Sequence, residues 1–418
     1  MTRKFICLLL LSALLACCFS SFAESGAASG GESQMPVQTT GIDIPVFSAE
    51  ETGAFEIPDN EAMKMLRDMK CGWNLGNTFD AFDVRNWFRG PELEMEAAWV
   101  HAITTKELIS ALKNAGFNTI RIPSTWYEHV DENNIISEAW LKRVKEVAGW
   151  ALDEGMYVIV NVHHDDHNKK VYMNSASYEQ TEEYLSAVWK QLAETFRDCD
   201  EHLILESMNE PRLIGHQHEW WLNESCEDCR DAVECINQLN QKFVDVVRST
   251  GGNNTTRYLL VPGHCGSPEG ATSGLFRLPE DSAENRIMVE VHAYRPYPFA
   301  LQSLQDGGVD SFSISKDRED LISFMDALYN KYISKGVPVV IDEFGARKKG
   351  DNLQDRVNCL AFYTAAAKAR GIPCCVWDNH VFSGNESRDE FFGIIDRNTI
   401  TWKYPDIALA IIRNSESQ

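Results

Sequence analysis

Eight short apolar runs recur along the chain, and segments with a helical pattern of apolar residues separate them. Several runs are apolar or β-branched on both faces, which is typical of strands buried in a parallel sheet. In 105–115 the apolar residues recur at helical spacing, and 140–152 and 184–196 repeat this pattern. The predicted strands are 70–75, 118–122, 157–162, 203–208, 258–262, 287–292, 337–341 and 373–377.

Glycines mark the joints between several of these segments. Gly116, Gly155, Gly336 and Gly371 each follow a helix-like stretch and come just before a predicted strand. A glycine that ends a helix and leads into a strand is the usual connection of α/β folds. Eight such units predict an α/β protein, a (β/α)₈ TIM barrel that forms one domain over 59–418.

Charge and composition narrow the partners that the chain can bind. Of its 418 residues 62 are acidic and 39 basic, for a net charge of −23. This balance disfavours a nucleic-acid backbone or an anionic membrane. Eleven tryptophans and twelve tyrosines offer flat apolar faces to a neutral ligand. No stretch after the N-terminus is long and apolar enough to cross a bilayer, so we expect no transmembrane segment. We also expect a monomer.

The N-terminus predicts export. Arg3 and Lys4 precede an apolar run over 5–16, and the sequence SFA at 21–23 fits a cleavage site, which gives a signal peptide over 1–23. A second interpretation is a lipobox, LLAC, in which Cys17 carries a lipid anchor. Residues 24–58 are rich in Ser, Gly, Glu and Thr, which predicts a flexible linker. The protein would be secreted, or a cell-surface lipoprotein through Cys17.

Polar residues follow seven of the eight predicted strands, at the barrel end where active sites form. Glu210 follows strand 4 and Glu343 follows strand 7, on facing sides of the barrel. Cleavage of a glycosidic bond needs one carboxylic acid to protonate the leaving oxygen and one carboxylate to attack carbon or activate water. We expect Arg121 and Tyr294 to hold Glu343 ionised, and the charge of Glu343 to disfavour ionisation of Glu210.

Six motifs in order resemble glycoside hydrolase family 5, and within it the endoglucanase-like subfamily 4. They are GWNLGNT (72–78), NTIRIP (118–123), VNVHH (160–164), NEP (209–211), VHAY (291–294) and DEFG (342–345). The resemblance covers about 60–412 and implies retaining, endo-acting hydrolysis of β-1,4-glucosidic linkages in cellulose-type or related β-glucans, without a cofactor. Xyloglucan and mixed-linkage glucan stay open as substrates, and mannan is a weaker alternative.

The same resemblance implies a role for each site residue. Glu210 would be the acid/base and Glu343 the nucleophile of a double displacement, with Asn209 bonded to the sugar 2-hydroxyl. Arg121 would orient Glu343. His163 would lie near the nucleophile, and His292 and Tyr294 would flank the two carboxylates. Trp377 would be the stacking floor for the sugar at the cleavage point. Asn77, His164 and Trp221 are further candidates for substrate contacts, with Trp126, Trp220, Tyr297 and Phe299 behind them.

Two features leave other chemistry open. The cluster His163, His164 and Asp165 would suit a metal-dependent hydrolase, although neighbouring residues do not readily converge on one ion. The nine cysteines after the signal are an odd number, and Cys226, Cys229 and Cys235 could be reduced thiols, a small disulfide loop or a zinc half-site with His216 or His218. We predict no catalytic metal. A sugar-binding barrel without activity is disfavoured because both glutamates are present.

Overall fold

The computed structural model describes residues 37–83, 87–168, 170–387 and 389–416. Eight parallel strands close into a barrel in chain order, with β8 paired to β1. The strands are β1 (Cys71–Leu75), β2 (Thr119–Ile122), β3 (Tyr157–Val160), β4 (Leu203–Glu206), β5 (Leu259–Pro262), β6 (Ile287–His292), β7 (Val339–Phe344) and β8 (Cys374–Asp378). A ribbon of β9 (Ile395–Asp396) and β10 (Thr401–Trp402) follows the barrel. The predicted fold class is confirmed.

Helices surround the strands, and side chains cap several of their N-termini. Asn60 caps α2 by accepting from the Met63 N–H at 2.8 Å, and Thr105 caps α3 by accepting from Leu108. The helices are α1 (Ala49–Thr52), α2 (Glu61–Met69), α3 (Lys106–Ala115), α4 (Glu138–Asp153), α5 (Tyr178–Thr195), α6 (Glu227–Ser249), α7 (Pro268–Thr272), α8 (Tyr297–Ala300), α9 (Ile314–Lys331), α10 (Leu353–Ala369) and α11 (Pro405–Glu416).

The predicted helix-to-strand joints are present. Gly116, Gly155, Gly336 and Gly371 all have positive φ, between 67° and 120°, a region in which residues with a Cβ are strained. Every residue of the eight barrel strands is buried, which explains why their sequence is apolar on both faces. The strand ends differ by up to three residues from the predicted ones.

The prediction of a flexible linker is wrong for residues 37–58. Phe47 packs edge-on against Phe362 of α10, with ring centroids 5.2 Å apart, and its N–H donates to Asn414 at 3.0 Å. The hydroxyl of Thr40 donates to Asp406 at 2.6 Å. The apolar and capping residues in this stretch therefore anchor it to α10 and α11. Residues 24–36, the predicted signal peptide and Cys17 lie outside the described residues.

A helix that crosses a bilayer needs about 20 consecutive apolar residues. Among the helices within the described residues, none is both long and apolar enough to cross a membrane.

Candidate active site

The C-terminal ends of the strands form the floor of an open cleft of about 1070 Å³. Loops after β4, β6 and β8 build its walls. Ten of the eleven predicted site residues line this cleft or its floor, and Arg121 lies buried beneath it. Those ten are Asn77, His163, His164, Asn209, Glu210, Trp221, His292, Tyr294, Glu343 and Trp377.

Arg121 organises the floor because all of its N–H donors are used. Its Nη1 donates to Glu343 at 2.6 Å and to Asn74 at 3.1 Å. Its Nη2 donates to Asn209 at 2.7 Å and to Glu206 at 2.7 Å, and its Nε donates to the second oxygen of Glu206 at 2.7 Å. The guanidinium is fully buried, so this network fixes Glu343 and Asn209 in one geometry.

Glu343 is held on both carboxylate oxygens. Arg121 donates to Oε1, and the Tyr294 hydroxyl donates to Oε2 at 2.9 Å, as the sequence predicts. One carboxylate oxygen of Glu343 lies within 4.8 Å of one of Glu210. Retaining glycosidases have carboxyl groups about 5–5.5 Å apart, whereas inverting ones need about 6.5–9.5 Å to admit a water. The close approach favours the retaining arrangement.

Glu210 differs from the sequence-based expectation in its proton affinity. Its Oε1 lies 2.9 Å from Nδ1 of His292. Burial acts to raise the pKa of Glu210, but the hydrogen bond and charge of His292, with the charge of Arg212, hold that pKa below its usual value. The expectation that Glu343 would keep Glu210 protonated is therefore wrong for the free protein, because His292 is the nearer charge.

His292 holds the proton that Glu210 lacks. Burial acts to lower the pKa of His292, but the charge of Glu343, the hydrogen bond to Glu210 and the charge of Asp342 raise it to about 9. At neutral pH His292 is therefore an imidazolium whose Nδ1 proton points at Glu210. The two residues form a donor–acceptor pair that shares one transferable proton.

His163 is a neutral imidazole of defined tautomer. The Ser124 N–H donates to Oδ1 of Asn161 at 2.9 Å, which leaves the Asn161 amide nitrogen to donate to Nδ1 of His163 at 3.0 Å. The proton of His163 is then on Nε2. Burial and nearby positive charge lower the pKa of His163 well below its usual value. Its ring is parallel to Trp377, with centroids 6.0 Å apart.

Trp377 and Gly76 are in tight contact at the end of β1. A Cβ built on Gly76 would lie 2.6–2.9 Å from three atoms of the Trp377 indole. Contacts between carbon atoms are normally about 3.5–4.0 Å. The absence of a side chain at Gly76 therefore lets the indole lie flat in the cleft.

The aromatic candidates other than Trp377 fall into two groups. Trp221 is 57% exposed, lines the cleft and contacts Tyr297 edge-on at 5.9 Å. Trp220 also lines the cleft, with the Arg212 guanidinium over its ring. Trp126 and Phe299 are buried, and their interpretation as sugar-binding residues is wrong. The Trp126 indole N–H donates to the Asn161 carbonyl at 2.9 Å, which makes it a packing residue.

Several residues that line the cleft were not predicted from the sequence, among them Trp99, Glu390 and Arg347. Trp99, in the long loop after β1, is 38% exposed and lies 6.1 Å from the ring of His164. Glu390 and Arg347 reach the cleft from the loops after β8 and β7. Their position after predicted strands could have identified them, because every loop that follows a strand in this fold opens onto the active site.

The cluster proposed for metal-dependent hydrolysis is not assembled as predicted. Asp165 accepts from the Trp126 N–H and from the Tyr184 hydroxyl, so its carboxylate is engaged away from His163 and His164. Burial raises the pKa of Asp165 to about 7. Asp80 takes its place as the carboxylate within 4.8 Å of the two histidines, although its own oxygens accept from the backbone of the loop after β1.

The described residues decide one of the three states that the sequence left open for Cys226, Cys229 and Cys235, namely the disulfide loop. All nine cysteines in the described residues are free thiols, so the small disulfide loop is absent from these residues. Cys226 lies at the N-terminus of α6 with His216 and Asp228 within 4.8 Å, whereas Cys235 is buried farther along the helix.

Comparisons with known proteins agree with this geometry. The model of the cellulase family, glycosyl hydrolase family 5, matches residues 80–383. The chain is 40% identical to endoglucanase A of Clostridium longisporum over 84% of its length, but spans only 65% of that relative. It is 39% identical to endoglucanase A of Ruminococcus albus, over 86% of this chain and 94% of the relative. A family 5 lichenase of Caldicellulosiruptor sp. F32 with cellotetraose superposes with a TM-score of 0.87, at 48% identity over 90% of this chain and all of that one. The chain belongs to the cellulase family, glycosyl hydrolase family 5.

Proposed function

We propose that this glycoside hydrolase is an endo-acting β-1,4-glucanase that cleaves neutral β-glucans with retention of configuration. The observation that carries this proposal is the pair of carboxylates in different settings, within 4.8 Å of each other. Glu343 is fixed as an anion by Arg121 and Tyr294, while Glu210 faces a proton donor, His292. Two such roles are what a double displacement requires.

In the first step Glu343 attacks the anomeric carbon while Glu210 protonates the leaving oxygen. The bond to the leaving sugar breaks as a covalent glycosyl-enzyme forms on Glu343. In the second step Glu210, now ionised, removes a proton from water, and the water oxygen displaces Glu343. Two inversions at one carbon give net retention, and both carboxyl groups return to their starting states.

His292 supplies the proton that the first step consumes. A sugar placed over Glu210 excludes water and weakens its preference for the ionised form. The proton then passes from Nδ1 of His292 to Oε1 of Glu210 along their 2.9 Å contact. Glu210 is therefore ionised in the empty site and becomes protonated when substrate covers it.

The remaining floor residues orient the reacting sugar. Arg121 holds Oδ1 of Asn209 at 2.7 Å, so the Asn209 amide N–H₂ is left to donate to the 2-hydroxyl. Trp377 provides a flat apolar face under the ring, and Nε2–H of His163 is a donor beside it. These groups are preorganised and do not have to reorient during the reaction.

Cleft shape supports an endo-acting enzyme on long chains. The groove is open and large, and Trp99, Trp221 and Tyr297 are among the residues that line it. Cellulose-type glucan is the preferred substrate, with mixed-linkage glucan next because of the likeness to a lichenase, and xyloglucan after it. Product release from a panel of these glucans and mannan tests the order. Fastest cleavage of mannan would overturn the substrate class.

Export is also part of the proposal. The charged end, the apolar run and the cleavage pattern of the first 23 residues favour secretion, with lipid attachment at Cys17 as the alternative. Mass spectrometry of the mature N-terminus distinguishes a chain that begins at Glu24 from one that begins at a lipidated Cys17.

Azide rescue tests the two glutamate roles separately. In Glu210→Ala, azide should restore turnover of an activated aryl cellobioside and give the β-glycosyl azide, because Glu343 still forms the covalent intermediate. In Glu343→Ala, azide takes the place of the nucleophile and should give the α-glycosyl azide. The opposite assignment of the two products would contradict the proposed roles.

A further inference from the structure

Two carboxyl groups that the proposed mechanism does not use lie directly beneath His292. Glu290 is two residues before His292 on β6, so both side chains are on the same face of the strand. Asp342 immediately precedes Glu343 on β7. Both carboxyl side chains are completely buried. Burying two acids together is costly unless neighbouring groups or a retained proton offset their charge.

His292 connects this buried pair to the acid/base. Oε1 of Glu290 is 3.3 Å from Nε2 of His292, and Oδ1 of Asp342 is 3.6 Å from the same nitrogen. On its other side, Nδ1 of His292 contacts Glu210 at 2.9 Å. The imidazole therefore bridges the buried pair and the cleft.

The buried pair retains a proton. None of the four oxygens of Glu290 and Asp342 makes a hydrogen bond to a residue that the structure describes. One carboxyl oxygen of Glu290 lies within 4.8 Å of one of Asp342, and two carboxylates at this distance cannot both ionise easily. Burial and the charges of Glu206 and Asp342 raise the pKa of Glu290 well above its usual value. Burial also raises the pKa of Asp342, although the positive charge of Arg121, whose Nε lies 3.3 Å from Oδ2 of Asp342, acts to lower it. With one proton between them, the two carboxyl groups together carry one negative charge.

Other charged groups also face His292. Nη2 of Arg121 on β2 lies 3.4 Å from Nε2 and opposes protonation of His292. Oε2 of Glu343 lies 3.6 Å from Nδ1 and favours it. His163, after β3, is neutral and adds no charge. Glu210 and Glu343 flank Nδ1, whereas Glu290 and Asp342 lie beneath Nε2 and oppose the charge of Arg121 there.

We propose that Glu290 and Asp342 are positioning residues that act through His292, sharing one proton and one negative charge beneath Nε2 so that Nδ1 keeps a proton for Glu210. This proposal rests on the acid/base role proposed for Glu210. When substrate covers Glu210, the Nδ1 proton moves to Oε1 and then to the leaving oxygen. Glu210 takes a proton from water in the second step and returns it to Nδ1, so no proton is gained or lost by the pair.

The test is the pH dependence of kcat/KM in four proteins: wild type, Glu290→Gln, Asp342→Asn and the double variant. Each single variant keeps one carboxyl group, which ionises once its neighbour is gone and preserves the charge. The double variant has no charge beneath Nε2. Its basic limb should move to lower pH by about one to three units, as expected for loss of an opposite charge within about 4–6 Å. The single variants should shift by less than half of that.

Glu96→Gln is the matched control for removing a buried carboxylate. Glu96 pairs with Arg143 at 2.8 Å, outside the catalytic network, and its loss should leave the pH profile unshifted. A double variant that cleaves β-glucan with retention and keeps the wild-type basic limb would overturn this proposal alone. If the wild type itself fails to cleave any β-glucan, the proposed function fails instead.

Infrared spectroscopy keeps the proposal testable if the double variant does not fold. The difference spectrum between wild type and Glu290→Gln at neutral pH should show the carbonyl band of one protonated carboxyl group, present in the wild type and lost in the variant. The same band should be lost in Asp342→Asn. A wild-type protein without this band would contradict the shared proton.

Discussion

Replacing Gly76 with Ala should displace the sugar-stacking floor without touching the two glutamates. The backbone of Gly76 is outside the left-handed region, so alanine is allowed there by conformation. Its new Cβ would lie 2.6 Å from Cζ2, 2.7 Å from Cη2 and 2.9 Å from Cε2 of Trp377. Normal carbon contacts of about 3.6 Å require the indole to retreat by about 1 Å. The indole is rigid, so it must move as a whole.

The size of the effect follows from that displacement. A misplacement of about 1 Å in a positioned group costs about 100-fold in rate. We therefore expect kcat/KM on a soluble β-glucan to fall about 100-fold in Gly76→Ala. Overpacking should cost about 1–3 kcal/mol of stability, which leaves the protein folded at assay temperature.

The assay pairs initial rates with a thermal melt, and Gly149→Ala is the matched control. Gly149 lies within α4, and a Cβ added to it would have no neighbouring atom within 4 Å. Alanine there should raise helix stability by about 1 kcal/mol and leave kcat/KM unchanged. A folded Gly76→Ala protein with wild-type kcat/KM would refute the assignment of Trp377 as a positioned stacking floor.

Three further predictions concern stability, substrate length and the thiols. The pKa of His292 is raised from 6.5 to about 9, so its charge contributes about 3 kcal/mol of stability that is present below pH 6.5 and lost as pH rises through 9. In urea unfolding, the advantage of wild type over His292→Gln should shrink by that amount across this range, and an advantage that grows with pH would contradict it. Trp221→Ala should raise KM on long glucans about 3- to 10-fold through lost stacking and leave an aryl cellobioside unaffected; equal losses on both would argue against a remote subsite. A phosphine reductant should not change the melting temperature, because all nine cysteines in the described residues are free; a lower melting temperature would reveal a disulfide.

Sequence predicts the fold here because burial on both faces imposes a visible pattern. A strand inside a parallel barrel has no solvent-facing side, so its residues read as one apolar run. The positive-φ positions Gly116 and Gly155 mark where helices stop. Strand ends then locate Glu210 and Glu343, since all eight strands open onto one face.

Other properties depend on distances that sequence separation does not report. Glu210 and His292 are far apart along the chain, so the ion pair that lowers the pKa of Glu210 is visible only in the fold. Glu290 lies inside an apolar run, and nothing in the neighbouring sequence indicates that its pKa is raised, because the charges that raise it belong to other strands. Trp126 follows a strand as sugar-binding residues do, yet its indole turns inward to Asn161. The segment after residue 36 has a linker-like composition, but a few residues such as Phe47 anchor it.

Trapping the covalent intermediate tests the central claim most directly. An activated 2-fluoro cellobioside slows the second step more than the first, so the glycosyl-enzyme accumulates and can be digested and mapped by mass spectrometry. We expect one fluorosugar per chain, attached to Glu343, with turnover of the natural glucan giving the β-hemiacetal first. A label on Glu210, or an α-hemiacetal as first product with no label, would contradict the double displacement at Glu343.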